Sequence, residues 1–155
     1  MRPKAKKYTV KHKDVDYAEI YAAQPTERIL YVKQGVPAYL VGDLSDAMSI
    51  SKDLLFSTLG LPKSTIDKKI VSQRALPTEQ GERLLGLARL IGQVQVLVQQ
   101  SGEPEGFNAA QWVATWIATP SPALGGATPA SYMDTSEGQQ LVSGLIEKMQ
   151  SGTYA

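Results

Sequence analysis

At 155 residues and 16.8 kDa, the chain is long enough for one ordinary domain or two small ones with a real hydrophobic core. Zero cysteines exclude disulfides and thiolate metal sites, and the single histidine, His12, sits among lysines, where a Ser-His-Asp triad has no support. No run approaches the roughly 18 apolar residues needed to cross a bilayer, and the Lys-rich start lacks the apolar stretch of a secretory signal, so a cytoplasmic protein is expected.

The net charge of +1 hides an asymmetry. Residues 1–13 carry Arg2, Lys4, Lys6, Lys7, Lys11 and Lys13 without an acid, whereas residues 100–155 set Glu103, Glu105, Asp134, Glu137 and Glu147 against Lys148 alone. Opposite ends of opposite sign suggest different partners. The basic segment within residues 1–25 reads either as a solvated tail or as a nucleic-acid arm, and its apolar patches Tyr8 to Val10 and Tyr17 to Tyr21 stay unassigned.

From Thr26 the punctuation becomes legible. Thr26 reads as an N-cap for a short helix through Ile29, Leu30 and Val32 that Gly35 ends, and Pro37 to Gly42 reads as an extended or turn segment. Ser45 is expected to cap a helix through Met48. Ser51 is expected to cap a second, with Leu54, Leu55, Thr58 and Leu59 at helical spacing before Gly60 stops it. The next helix, Lys63 to about Val71, places Ile66 and Ile70 four apart on a buried face and turns Thr65, Lys68 and Lys69 outward. Two short helices around a Gly-containing turn, the second basic outside, make a helix-turn-helix candidate.

On DNA, Ser64 and Thr65 would reach bases or phosphates while Lys63, Lys68, Lys69 and Arg74 neutralised phosphates. A solvated face on a plain helical hairpin explains the same residues equally well. The absence of arginine from the helix itself argues against strong direct readout of guanine, which suits a guanidinium fork. Gly60 to Thr65, GLPKST, looks at first like a phosphate loop, but Pro62 stands where glycine must precede the lysine and removes a donor.

Thr78 is expected to cap the longest helix, Glu79 to about Gln99, a rod of about 30 Å. Leu84, Leu87, Ile91, Val94 and Val98 alternate spacings of three and four, with Leu85, Leu90 and Leu97 widening the stripe, as a central helix requires. Period-two alternation from Val94 to Val98 offers a strand instead, and continuity with the helix decides against it. Ser101 to Gly106 is a polar loop and the candidate domain junction. Asn108, with Gln111 three residues on, opens a helix faced by Trp112, Val113, Trp116 and Ile117, which Pro120 and Pro122 stop. Tryptophans four apart on such a helix are expected in the core. Thr128-Pro129 starts a further short helix. Thr135 caps the last, whose Leu141, Val142, Leu145, Ile146 and Met149 form an apolar stripe before Gly152. The fold class is therefore all-α. Its organisation reads as a basic arm over 1–25, a helix-turn-helix unit over 26–100 and a small helical unit over 101–155.

These residues carry a resemblance. Trp116, Pro120, Leu124-Gly125-Gly126, Thr128-Pro129, Thr135, Gly138, Val142, Leu145, Ile146 and Gly152, in that order, with Leu59-Gly60-Leu61, Ser64-Thr65 and the Leu76 to Leu90 stretch upstream, make the chain resemble the Xre/MbcA/ParS antitoxins of bacterial type II toxin–antitoxin systems. The likeness spans roughly residues 26–155. The family usually has arginines where this chain has Lys68 and Lys69, a serine at Gly81 and an arginine near Gly86, departures that bear on operator binding.

The resemblance implies a non-enzymatic neutraliser without cofactor or metal, whose partner is a RES-domain toxin that consumes NAD or transfers from it. It implies that the C-terminal unit blocks the toxin's NAD pocket. By position, the contacts fall on Met149, Ser151, Gly152, Thr153, Tyr154 and Ala155. Operator DNA is the second expected partner, and because operators read by such helices are commonly symmetric, a homodimer is expected. A stand-alone helix-turn-helix regulator is the competing reading. An enzyme acting through carboxylates alone has no positive support.

Overall fold

A computed structural model describes residues 8–102 and 104–152, and these form eight α-helices: α1 (Tyr17–Ala22), α2 (Pro25–Gln34), α3 (Tyr39–Met48), α4 (Lys52–Leu59), α5 (Lys63–Val71), α6 (Thr78–Gln100), α7 (Ala109–Ile117) and α8 (Ser136–Gln150). Two 3-10 turns, Pro122–Leu124 and Pro129–Tyr132, lie between α7 and α8. The described residues hold one isolated bridge, Pro37 with Ala75, and no strand. The all-α class is as the sequence predicts.

The broad stripe of α6 is the axis of the core. Leu84, Leu87, Ala88 and Ile91 are fully buried, and α1, α2, α3, α7 and α8 all pack on this one helix. Several neighbours explain why its apolar face is wider than a single partner would need. The hydrophobic core is continuous from Val10 to Ile146, so both ends of the chain share it. The strand alternative at Val94 to Val98 is not taken, since α6 continues to Gln100.

Several local expectations are corrected. α2 begins one residue before Thr26: Pro25 holds the first helical position and the Glu27 carboxylate accepts the Gln24 N–H at 3.1 Å, so the entry is fixed by proline and a reciprocal cap. α3 starts at Tyr39, and Ser45 is buried inside it with its hydroxyl donating to the Gly42 carbonyl at 3.1 Å. Leu40, Val41, Leu44 and Met48 already have helical spacing; burial of that face outweighs the glycine that suggested a break. Only the lead-in stays extended, where Ala38 N–H donates to Arg74 carbonyl and Leu76 N–H to Val36 carbonyl. Thr78 is the first residue of α6, with Pro77 in the capping position.

The predicted caps Ser51, Asn108 and Thr135 each accept a backbone N–H three residues on, at 3.0 Å. Gly60 ends α4 with φ of 64°. The segment left unassigned becomes α1, capped by Asp16 accepting the Glu19 N–H at 3.0 Å. From Tyr8 onward the N-terminal segment packs on the body rather than trailing from it: Val10 is buried, Tyr39 OH donates to its carbonyl at 2.6 Å, and His12 Nδ1 lies 2.9 Å from the buried Asp43 carboxylate. His12 is thus tied to α3 and is no part of a loose basic tail. Arg2, Lys4, Lys6 and Lys7 lie outside the described residues.

The tryptophans are also corrected. Val113 and Ile117 fill the core, while Trp112 and Trp116 are half-buried and stacked on each other at 5.7 Å between ring centroids, 11° from parallel. A nine-residue helix at the edge of the bundle can bury one narrow face, and the bulkier rings cover its flank.

Candidate functional site

Two surfaces carry the candidate residues. The first is the pair α4 and α5 joined through Gly60, Leu61 and Pro62. Ile66 is fully buried and Ile70 half-buried, which sets the outward face of α5. Lys63, Ser64, Thr65 and Lys68 are exposed there, Arg74 is exposed just beyond the helix, and Lys69 is half-buried. The turn that carries Arg74 is held by two backbone hydrogen bonds: its N–H donates to the Lys69 carbonyl at 2.8 Å and its own carbonyl accepts from Ala38 at 3.0 Å.

Lys63 pairs with Asp53 of α4 at 2.7 Å, and that hydrogen bond holds the ammonium pKa above its ordinary value. Both groups are largely exposed, so the pair adds little to stability. It does lower the positive charge of this face, with Asp67 adjacent on α5. The face is basic but moderated.

The second surface is α8 together with the residues beyond its C-terminus. Val142, Leu145 and Ile146 are buried, Leu141 is 44% exposed and Met149 half-buried, so the predicted stripe is narrower than its five residues. Two polar clamps fix the helix. Gln93, only 3% exposed, donates to Ser143 carbonyl at 3.1 Å and accepts the Ser143 hydroxyl at 2.7 Å. Gln139 Nε2 donates to the carbonyls of Arg83 and Met133, both at 3.0 Å. Beyond Ile146 the chain is mostly exposed, at Glu147, Lys148, Gln150, Ser151 and Gly152, and Gly152 has φ of 74°. Thr153, Tyr154 and Ala155 lie outside the described residues.

Arg83 links the two surfaces, and sequence reasoning missed it. Its guanidinium donates to the Leu59 and Gly60 carbonyls, each at 2.9 Å, closing the C-terminus of α4, while its own carbonyl holds Gln139 of α8. An arginine in the first turns of a helix gives no local signal of a partner 24 residues upstream. Only the tertiary structure, which brings the end of α4 within reach of the Arg83 side chain, reveals it.

Two of the departures at glycine have a local cause. A Cβ at Gly86 would run into the Gln139 side chain, and one at Gly81 would lie 2.9 Å from Val36 Cγ2. Glycine at 86 is what admits the Gln139 clamp.

Among the described residues no group of His, Asp and Glu is placed to hold a metal ion, and no helix is long and apolar enough to cross a membrane.

A helix-turn-helix pair whose α4 packs on α3, and a capped terminal helix that packs on the central α6, make up the molecule. Comparison with known families makes this specific: residues 27–89 match the antitoxin Xre-like helix-turn-helix domain, and residues 105–152 match the antitoxin Xre/MbcA/ParS C-terminal toxin-binding domain. The chain belongs to this antitoxin family. It is 40% identical over 139 residues, 90% of this chain and 87% of the relative, to the "Prs ADP-ribosylating antitoxin" of Sphingobium sp. (strain YBL2). It is 23% identical over 134 residues, 86% of this chain and 85% of the relative, to "Antitoxin Xre" of Yersinia enterocolitica serotype O:8 / biotype 1B (strain NCTC 13174 / 8081). A toxin-binding antitoxin is therefore what this chain is.

Proposed function

We propose that this antitoxin neutralises a RES-domain, NAD-using toxin by occluding its active site with the end of α8 and the residues after it, acting by binding and not by catalysis. The observation that carries the reading is where the packing of α8 ends. The helix is packed or clamped as far as Ile146, and its last turn then runs out, through half-buried Met149, to exposed Ser151 and Gly152. A helix packed to Ile146 and exposed at its end offers that end to a partner, and Thr153, Tyr154 and Ala155 follow it in sequence. The name of the Sphingobium relative couples an antitoxin to ADP-ribosylation, a reaction whose ADP-ribose donor is NAD, and this supports a nucleotide-using toxin here. The acidic balance of residues 100–155 suits a basic nucleotide pocket.

The test is deletion of residues 152–155. The truncated chain should keep its fold but lose protection of cells expressing the toxin, and lose inhibition of NAD turnover by the purified toxin. Protection equal to the full-length chain would sink the plug.

We propose a second role for α5: binding the operator of its own operon as a homodimer, with Lys63, Ser64, Thr65, Lys68, Lys69 and Arg74 at the DNA. Five of these six are exposed on α5 and the turn after it, which supports the reading. On this view residues 26–100 form the operator-reading unit and 101–155 the toxin-binding unit, on a shared core. A stand-alone regulator without a toxin would show operator binding but no complex with the product of the neighbouring gene.

A further inference from the structure

A groove of about 680 Å³ runs between α2, α6 and α8. Ile29, 54% exposed, and Lys33 stand on the α2 wall; Gly86 and Arg89 lie on α6; Gly144 and Glu147 lie on α8. One wall thus comes from the part matched to the toxin-binding domain and the other from the helix-turn-helix part.

Gly144 is the informative residue. Glycine inside a helix is destabilising, so it needs a reason. The other glycines inside α6 and α8 have one: a Cβ at Gly81 would meet Val36, at Gly86 the Gln139 side chain, at Gly92 the Tyr17 carbonyl and at Gly138 the Tyr132 carbonyl. A Cβ at Gly144 would meet nothing within 4 Å. The fold does not need this glycine, and its bare backbone faces the groove.

The charge in the groove is also uneven. Arg89 lies close enough to Arg28 to help lower its pKa, after burial of Arg28, and the Arg28 guanidinium is spent on the carbonyls of Ile20, Tyr21 and Ala23. Lys33 on α2 and Arg89 on α6 are the groove's remaining cations, facing Glu82 of α6 and Glu147 of α8 across it.

We propose that this groove is a second contact surface for the toxin, receiving a toxin segment that sets an apolar side chain between Gly144 and Ile29 and a carboxylate beside Arg89 and Lys33. The inference rests on the toxin-binding reading above. The toxin is the occupant because the Gly144 wall belongs to the matched toxin-binding domain and continues through Glu147 into the exposed end of α8. The tail and the groove then hold the toxin along one helix.

The experiment measures affinity for the RES-domain toxin proposed above, using the full chain and three variants: Gly144→Ala, Gly144→Lys and Arg89→Glu, with the 152–155 deletion in parallel. Helicity and Tm of each free variant are recorded. Gly144→Ala should bind more weakly than wild type but less so than Gly144→Lys, because its Cβ enters the space given to the toxin's side chain. Gly144→Lys and Arg89→Glu should each bind at least roughly tenfold more weakly while remaining folded, the loss expected of a central contact. Unchanged affinity for both variants overturns the proposal. So does dissociation of a free antitoxin dimer by Gly144→Lys with toxin affinity intact, since the groove would then join two copies of this chain. If wild type itself fails to bind the RES protein, the toxin reading falls with it; if the deletion abolishes inhibition while Gly144→Lys and Arg89→Glu bind normally, only the groove falls.

Discussion

Replacing glycine by alanine should have opposite effects at two helix-interior sites of this protein. At Gly144 the added methyl has no neighbour within 4 Å, so only the gain in helix propensity counts, roughly 0.5–1 kcal/mol. With about 2–4 °C per kcal/mol for a chain of this size, Tm should rise by roughly 1–4 °C. At Gly92 the same methyl would lie 2.6 Å from the Tyr17 carbonyl carbon and 2.9 Å from Tyr21 Cβ, and nearer still to the Tyr17 oxygen. Ordinary carbon contacts are about 3.5–4.0 Å, so α1 would have to retreat by about 1 Å from α6. The obstacle is α1 backbone, which no rotamer change can clear, and overpacking of this kind costs about 3 kcal/mol at the upper end of its usual range. Subtracting the propensity gain leaves a net loss of about 2 kcal/mol and a Tm lower by roughly 4–8 °C. Thermal and urea unfolding followed by far-UV circular dichroism would measure both. A Gly92→Ala protein as stable as Gly144→Ala would refute the claim that the α1–α6 crossing depends on that glycine.

Gln93→Leu keeps the side-chain volume but strips the Ser143 carbonyl and hydroxyl of their partner, and should destabilise by about 1–3 kcal/mol; hydrogen exchange should accelerate first in α8, and uniform exchange across the helices would contradict the clamp. Alkali should unfold the protein early. Burial pushes the Tyr17 and Tyr31 phenols from 10.0 up to about 12, so the unfolded chain loses these protons first, and the stability they contribute is intact below about pH 10 and lost as pH rises toward 12. A urea midpoint that stays flat across that window, followed by tyrosine absorbance, would count against buried phenols. For operator binding, Lys68→Ala and Arg74→Ala should each flatten the dependence of log K on log salt by about 0.9 if each removes one phosphate contact. A slope that both variants leave unchanged would take α5 off the DNA.

Much of this molecule is legible residue by residue. Ser51, Asn108 and Thr135 cap where their short oxygens predict, and Gly60 turns where positive φ is needed, because caps and turns are contests settled within a few residues. The wide stripe on α6 announces a central helix, and the ordered punctuation from Trp116 to Gly152 carries the family. The misreadings share a cause. Thr26, Ser45 and Thr78 have capping chemistry but lie within helices, Ser45 well inside α3: Pro25 and Pro77 set two of the starts, and burial carried α3 through Gly42. The six-residue α1 is too short to show a period and exists because Gly92 lets it lie against α6.

The candidate sites divide in the same way. Sequence alone determined the all-α class, the helix ends set by Ser51, Gly60, Asn108 and Thr135, and the exposed basic face of α5, since each depends on local spacing or on a side chain's preference for water. Tertiary structure alone decided that Arg83 closes α4 while holding Gln139, that Gln93 and Ser143 pair across 50 residues, and that Gly144 looks into an open groove whereas Gly86 and Gly92 are filled. Those are relations between helices distant in the chain. No periodicity records them, because they depend on which faces meet once the core of α6 is buried.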